Sequence, residues 1–270
     1  MAKIENDKYY TSPELAQYCV DKAKEIIGEE NIAEWLEPSG GNGVFLDYLP
    51  DGTYSCDIEP EDNRIIKQDY LELDTEYKKD RCIIGNPPFG RSCNLAVQFY
   101  KMSIRLGDYI VFILPISQLN NTYKFYEFDL LFSEDLGKMK YSDKTIHCCL
   151  NIFKRNPSGN LNKKIPIKYK DVEIKISEKT NSTRDRIITK EKFNYDIRFC
   201  IWGSVGVISK YEHEFAKEMC VKINNNNLRD KILDILTNVK WTEVYPMTAT
   251  PNLLQWQVYK YLKEQIPELE

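Results

Sequence analysis

The chain has 270 residues, 42% hydrophobic and 29% charged, with a formal net charge of −4. These values describe an ordinary water-soluble protein with room for a full core, and no run of about 18 apolar residues is present to span a membrane. The polar, charged start reads as no signal peptide, and eight cysteines without a C-x-x-C pair beside two histidines argue for reduced cytoplasmic thiols and no metal site.

In chain order, residues 12–30 read as a helix. Ser12 is a suitable cap, Pro13 and Glu14 suit the first turn, and Leu15, Cys19, Ala23 and Ile26 recur at helical spacing. A short strand, Ile32–Leu36, leads into Glu37-Pro38-Ser39-Gly40-Gly41-Asn42-Gly43-Val44-Phe45. Gly41 and Gly43 let the backbone turn tightly and approach a ligand. Leu46 stands where a dinucleotide fingerprint has its third glycine, so the turn suits a nucleoside better than a pyrophosphate. A short helix is expected over Val44–Tyr48, then a strand from Thr53 ending at Asp57, where an acid is placed for ribose hydroxyls. Asp69, in Lys67-Gln68-Asp69-Tyr70, is either an acceptor for an adenine amino group or a plain cap.

The apolar run Arg81–Gly85 reads as a strand buried on both faces. It ends in Asn86-Pro87-Pro88-Phe89. The Asn86 side-chain oxygen and the Pro87 carbonyl can both accept from an NH2 on a flat molecule, the prolines stiffen the turn, and Phe89 can stack on a ring. A helix over 93–106 and a buried strand over 108–114 follow. Residues 119–135 are rich in aromatics (Tyr123, Phe125, Tyr126, Phe128, Phe132), which either form core or line a pocket. Thr145–Phe153 reads as a strand, and Lys154–Asn160 is a run of turn formers marking a boundary. Beyond it, alternation predicts a hairpin of 165–169 with 172–176, a β-rich stretch over 193–208, and helices near 211–220, 228–238 and from 252. Alternating strands and helices predict an α/β fold with a doubly wound, mostly parallel sheet over residues 1–155 and a small β-rich region over 156–270.

The ordered series of glycine turn, Asp57, Asp69 and Asn-Pro-Pro-Phe resembles the S-adenosylmethionine-dependent amino-methyltransferases that modify adenine N6. Tyr9-Tyr10-Thr11-Ser12-Pro13-Glu14 resembles the segment that precedes the glycine turn in the gamma-type N6-adenine DNA methyltransferases, and Ile110–Pro115 resembles their next core strand. The resemblance covers residues 8 to 155 and implies a class I methyltransferase, Rossmann-like fold. It implies S-adenosyl-L-methionine as cofactor, held by Tyr10, Thr11, Glu37, Pro38, Ser39, Gly41, Gly43, Phe45, Asp57, Ile58, Asp69, Tyr70 and Asn86. Catalysis falls to Asn86, Pro87, Pro88 and Phe89, acting on a flipped-out adenine. The chain has no Pro-Cys pair of the kind used on cytosine C5, and it is short for a family whose members often carry a large recognition domain. DNA is therefore the expected partner of a monomer or homodimer, with a separate specificity partner and a restriction–modification setting left open. RNA adenine, cytosine N4 in DNA and a glutamine side chain in a protein remain alternative substrates.

Charge is unevenly spread. Residues 151–200 hold 13 Lys+Arg against 6 Asp+Glu, a net of +7, while residues 1–150 hold 16 against 26. The basic segment is the expected phosphate-facing part, through Lys154, Arg155, Lys163, Lys164, Arg184, Arg186, Lys190, Lys192 and Arg198.

Overall fold

The structure is a computed structural model and describes residues 10–141, 144–164, 168–178, 193–208, 215, 217–245 and 252–270. The chain forms two compact units, residues 1–164 and 165–270, where the sequence boundary was expected at 155/156. Residues 156–164 go with the first unit because Asn162 bonds the Glu127 carbonyl and the Asp129 carboxylate, at 2.9 and 2.7 Å.

The first unit opens with helix α1, Pro13–Ile27. Ser12 caps it by accepting from the Leu15 N–H at 3.3 Å, and it buries Ala16, Cys19, Val20, Ala23 and Ile27 on one stripe. Strands β1 (Glu34–Glu37), β2 (Tyr54–Asp57), β3 (Ile66–Lys67) and β4 (Arg81–Gly85) follow, then helix α2 (Asn94–Leu106). Next come β5 (Tyr109–Pro115), β6 (Asp129–Tyr141) and β7 (Lys144–Lys154). Among the described residues these seven strands form one sheet in the order β3-β2-β1-β4-β5-β7-β6. The first five are parallel, and β7 lies antiparallel between β5 and β6.

Strand alternation divides the core into two layers. Cys82, Ile84, Tyr109, Val111 and Ile113 join α1 in one cluster, while Ile83, Ile110, Phe112 and Leu114 join α2 in the other. Both faces of the sheet are therefore covered, which is why β4 and β5 read as unbroken apolar runs. The helix expected over Val44–Tyr48 is instead a series of turns closed by Gly43 N–H to Gly40 O and Leu46 N–H to Gly43 O. The aromatic stretch before β6 is mixed: Phe125 and Phe128 are fully buried, whereas Tyr123 and Tyr126 are half-buried.

In the second unit, β8 (Val172–Glu178), β9 (Ile197–Cys200), β10 (Gly206–Val207) and β11 (Lys217–Ile223) form an antiparallel sheet in the order β10-β9-β11-β8. Helices α3 (Arg229–Asn238), α4 (Trp241–Val244) and α5 (Gln255–Gln265) follow. One expectation is corrected. The stretch read as a helix over 211–220 overlaps the start of β11, which pairs on both edges and buries Met219, Val221 and Ile223. β8 pairs along its length with β11, and of the hairpin expected over 165–169 the antiparallel bridge Tyr169–Val172 is present, while 165–167 lie outside the described residues.

All eight cysteines are buried free thiols. Among the described residues no helix is long and apolar enough to cross a membrane, and no group of His, Cys, Asp or Glu is placed to hold a metal ion.

Candidate active site

The strand order reverses between β1 and β4, because β1 continues to β2 on one side while β4 continues to β5 on the other. Such a reversal opens a crevice beyond the C-terminal strand ends. The turn after β1 and the turn after β4 meet there. Gly85 has no side chain, and a Cβ on it would lie 3.4 Å from the Pro38 ring. Ser39 Oγ donates to the Asn86 carbonyl at 3.2 Å. From the third side, Thr11, buried just ahead of the α1 cap, accepts from Asn86 Nδ2 at 3.3 Å. That donation fixes the amide, leaving Oδ1 as its accepting end.

The glycine loop is held from beneath and from outside. Gly41, at φ +52°, donates its N–H to Asp57 Oδ2 at 2.9 Å, and its carbonyl accepts from the Glu61 N–H at 2.9 Å. The Tyr10 ring lies 3.8 Å from where a Gly41 Cβ would stand, and the Tyr10 hydroxyl donates to Glu61. At Gly43, φ +81°, a Cβ would meet the Asp62 carboxylate at 2.6 Å. Asp62 is locked to Arg64, which also pairs with Asp47 at 2.8 Å. Bare backbone in the left-handed region is thus obligatory at Gly43.

Glu37 ends β1 and is 0% exposed. Its Oε2 accepts from Ser55 Oγ at 2.8 Å, and its Oε1 has no hydrogen-bond partner among the described residues. Burial pushes its carboxyl up to about 7, against the lowering effect of the Ser55 hydroxyl and with added repulsion from Asp57. An orphaned buried acceptor is costly, so it fits a ligand that brings hydroxyl donors. Asp57 uses one oxygen on Gly41 and the other on the Glu59 N–H at 2.8 Å, and Ile58 beside it is 49% exposed. Acid, open apolar side chain and glycine cradle together suit the hydroxyls and flat base of a nucleoside.

Asp69, Tyr70, Phe45 and Phe89 also have contacts within the fold. Asp69 caps the turn Tyr70–Glu72, accepting from the Leu71 N–H at 2.8 Å. The Tyr70 side chain is core: its hydroxyl pairs with Ser103 Oγ at 2.8 Å and its ring packs on Phe99. Phe45 is also core, in the cluster that holds Phe89. Phe89 is 7% exposed and belongs to that same core cluster.

The phosphate-facing set shrinks. Arg155 bonds Asp108 at 2.8 Å and the carbonyls of Ile104 and Gly107, with its guanidinium over Phe128 and Tyr77. Arg198, 5% exposed, pairs with the buried Glu218 at 3.3 Å. Both are structural cations. Lys154 lies over the Tyr109 ring, Lys163 is exposed, and Lys164 lies over Tyr123. Arg184, Arg186, Lys190 and Lys192 lie outside the described residues.

Ser55, Glu61 and Asp62 were not anticipated. Ser55 carried a signal, since it lies two residues before Asp57 on the same side of β2 and is the register partner of Glu37. Glu61 and Asp62 sit in an acid-rich loop with no local sign of which acid folds back.

No family model matches the chain. It is 34% identical over 100 residues to the Type II methyltransferases M.HincII and M.HindII of Haemophilus influenzae, a match of 35% of this chain and of 19% and 18% of those proteins. The matched part is thus about a fifth of the length of those curated relatives. Solved structures with a similar chain course include a candidate RNA methyltransferase of Pyrococcus horikoshii, at TM-score 0.45 and 14% identity, covering 57% of this chain and 90% of that one. Another is the magnesium protoporphyrin IX methyltransferase of Synechocystis with bound SAM, at TM-score 0.39 and 9% identity, covering 57% and 88%. In its larger unit the chain has the strand order of the class I methyltransferase fold, with the antiparallel β7 inserted before β6, and over 100 residues it resembles the Type II methyltransferases.

Proposed function

We propose that the protein transfers a methyl group from S-adenosylmethionine to the N6 amino group of adenine in DNA. The observation that carries this reading is the convergence of Thr11, Ser39 and Asn86 by hydrogen bonds at the mouth between β1 and β4. When bound, S-adenosylmethionine supplies an electrophilic methyl group. Gly41, Gly43, Glu37, Asp57 and Ile58 would hold its nucleoside part, and Tyr10 with Thr11 would cover the end nearest Asn86.

An adenine amino group is a poor nucleophile, because its lone pair is delocalised into the ring. Asn86 Oδ1 and the Pro87 carbonyl would accept its two N–H bonds. That favours a pyramidal nitrogen and turns the lone pair out of the ring plane. The gain is orientation and electrostatic positioning, and no covalent nucleophile is required. Pro87 and Pro88, followed by the buried Phe89, keep the acceptors rigid while the amino group changes shape. For a duplex the base must leave its stack.

The test is transfer of labelled methyl from S-adenosylmethionine to unmodified DNA, RNA and protein in parallel, with the modified nucleoside or residue identified. N6-methyladenine in DNA is the expected product. Label only in RNA, in cytosine or in a glutamine side chain would replace the substrate and keep the site.

A further inference from the structure

The turn directly after Asn86–Phe89 is strained. Gly90 lies at φ +64°, Ser92 at +54° and Cys93 at +64°, so three of four consecutive residues occupy the left-handed region, two of them with side chains. Such conformations cost free energy and persist where the surroundings impose them. Two contacts impose this one. The Phe89 carbonyl accepts from the Leu95 N–H at 3.1 Å, and the Lys124 ammonium donates to the Ser92 carbonyl and, at 3.2 Å, to Asn94 Oδ1. A Cβ at Gly90 would stand 2.8 Å from Leu95 Cβ, so the turn is closed against the start of α2.

The product of this strain is the position of Arg91. It is exposed, at the crest of the turn, two residues from Phe89. Arg64, Arg81 and Arg155 in the same unit each pair with a carboxylate. The Arg91 guanidinium has no hydrogen-bond or ion-pair partner among the described residues, while its carbonyl accepts from the Asn94 N–H. Lys124 has only neutral oxygens, so its charge is not neutralised either. Two uncompensated cations thus sit on the lip of the candidate site, in a unit that carries 20 Lys+Arg against 26 Asp+Glu. An unpaired guanidinium is a fork suited to a phosphate.

Resting on the reading of the preceding subsection, we infer that Arg91, with Lys124 behind it, forms a phosphodiester-binding subsite that holds the nucleic-acid backbone beside the base presented to Asn86. Arg91 is a positioning residue in this role: it touches the backbone and not the reacting nitrogen.

The experiment compares wild type, R91A and R91K on unmodified mixed-sequence duplex DNA. R91A is expected to raise KM for DNA roughly tenfold and to lower the salt slope of DNA binding by about one. It should leave kcat within about threefold and S-adenosylmethionine affinity unchanged, which also certifies folding. R91K should restore the salt slope. Unchanged KM and slope in R91A, with an active wild type, would overturn the subsite while leaving the function intact. A wild type that labels no nucleic acid would overturn both.

Discussion

Asn86 is reached from two sides, by Thr11 through its amide and by Ser39 through its carbonyl. Removing the carboxamide therefore removes the acceptor without removing the turn. N86A is expected to abolish methyl transfer while S-adenosylmethionine affinity stays within a few fold, measured by titration calorimetry beside the label assay; near-normal turnover would sink the assignment. Glu37 makes a second prediction. Its carboxyl holds a proton up to about 7 in the folded chain, whereas the unfolded chain releases it near the ordinary 4.5. Between those values the folded state binds more protons, so stability falls as pH rises through the window and levels off above it. The loss is up to roughly 3 kcal/mol, and E37Q should flatten it in urea unfolding run from pH 4 to 8. Residues whose role depends on one local segment were legible: Asn86 at a strand end, Gly41 and Gly43 in a turn. Arg155 and Arg198 were not, because the acids that claim them, Asp108 and Glu218, lie 47 and 20 positions away in sequence.

At the scale of elements, the glycine loop between β1 and β2 separates two kinds of glycine. Gly43→Ala would place a methyl 2.6 Å from Asp62, which is clamped by Arg64, on a backbone at φ +81°. Gly41→Ala meets only the Tyr10 ring at 3.8 Å. G43A is expected to cost about 2–4 kcal/mol and G41A about 1 kcal/mol, read as midpoint shifts in chemical unfolding. Equal costs would mean the Asp62 clip does not constrain the loop. The strands of the first sheet were legible because burial on both faces leaves a long apolar signature. β11 was misread as helix because Phe215, Met219 and Cys220 also fall at helical spacing. The choice went to strand through pairing with β8 and β9, contacts made by distant segments.

At the scale of the whole molecule, each unit carries its own core. The two clusters flanking the first sheet contain no residue beyond Phe153, and the cluster of the second unit begins at Tyr169. A fragment ending at Lys164 is therefore expected to unfold cooperatively and to bind S-adenosylmethionine within a few fold of the full chain. A fragment without a cooperative transition would show that the first unit cannot stand alone. The division was half legible: Lys154–Asn160 marks a change in character, but the chain continues along the first unit before it leaves, held by Asn156 and Asn162 on Asp129.

The buried thiols have a practical consequence. Burial lifts Cys19, Cys56 and Cys93 to about 12 and Cys82 well above the ordinary thiol range, so the nucleophilic thiolate is scarce while the chain stays closed. Cys82 lies in the first sheet, and Cys200 and Cys220 lie in the second. The chain thus carries native alkylation clocks: with pulsed iodoacetamide and mass spectrometry, each cysteine reports how often its own unit opens, with no label engineered in.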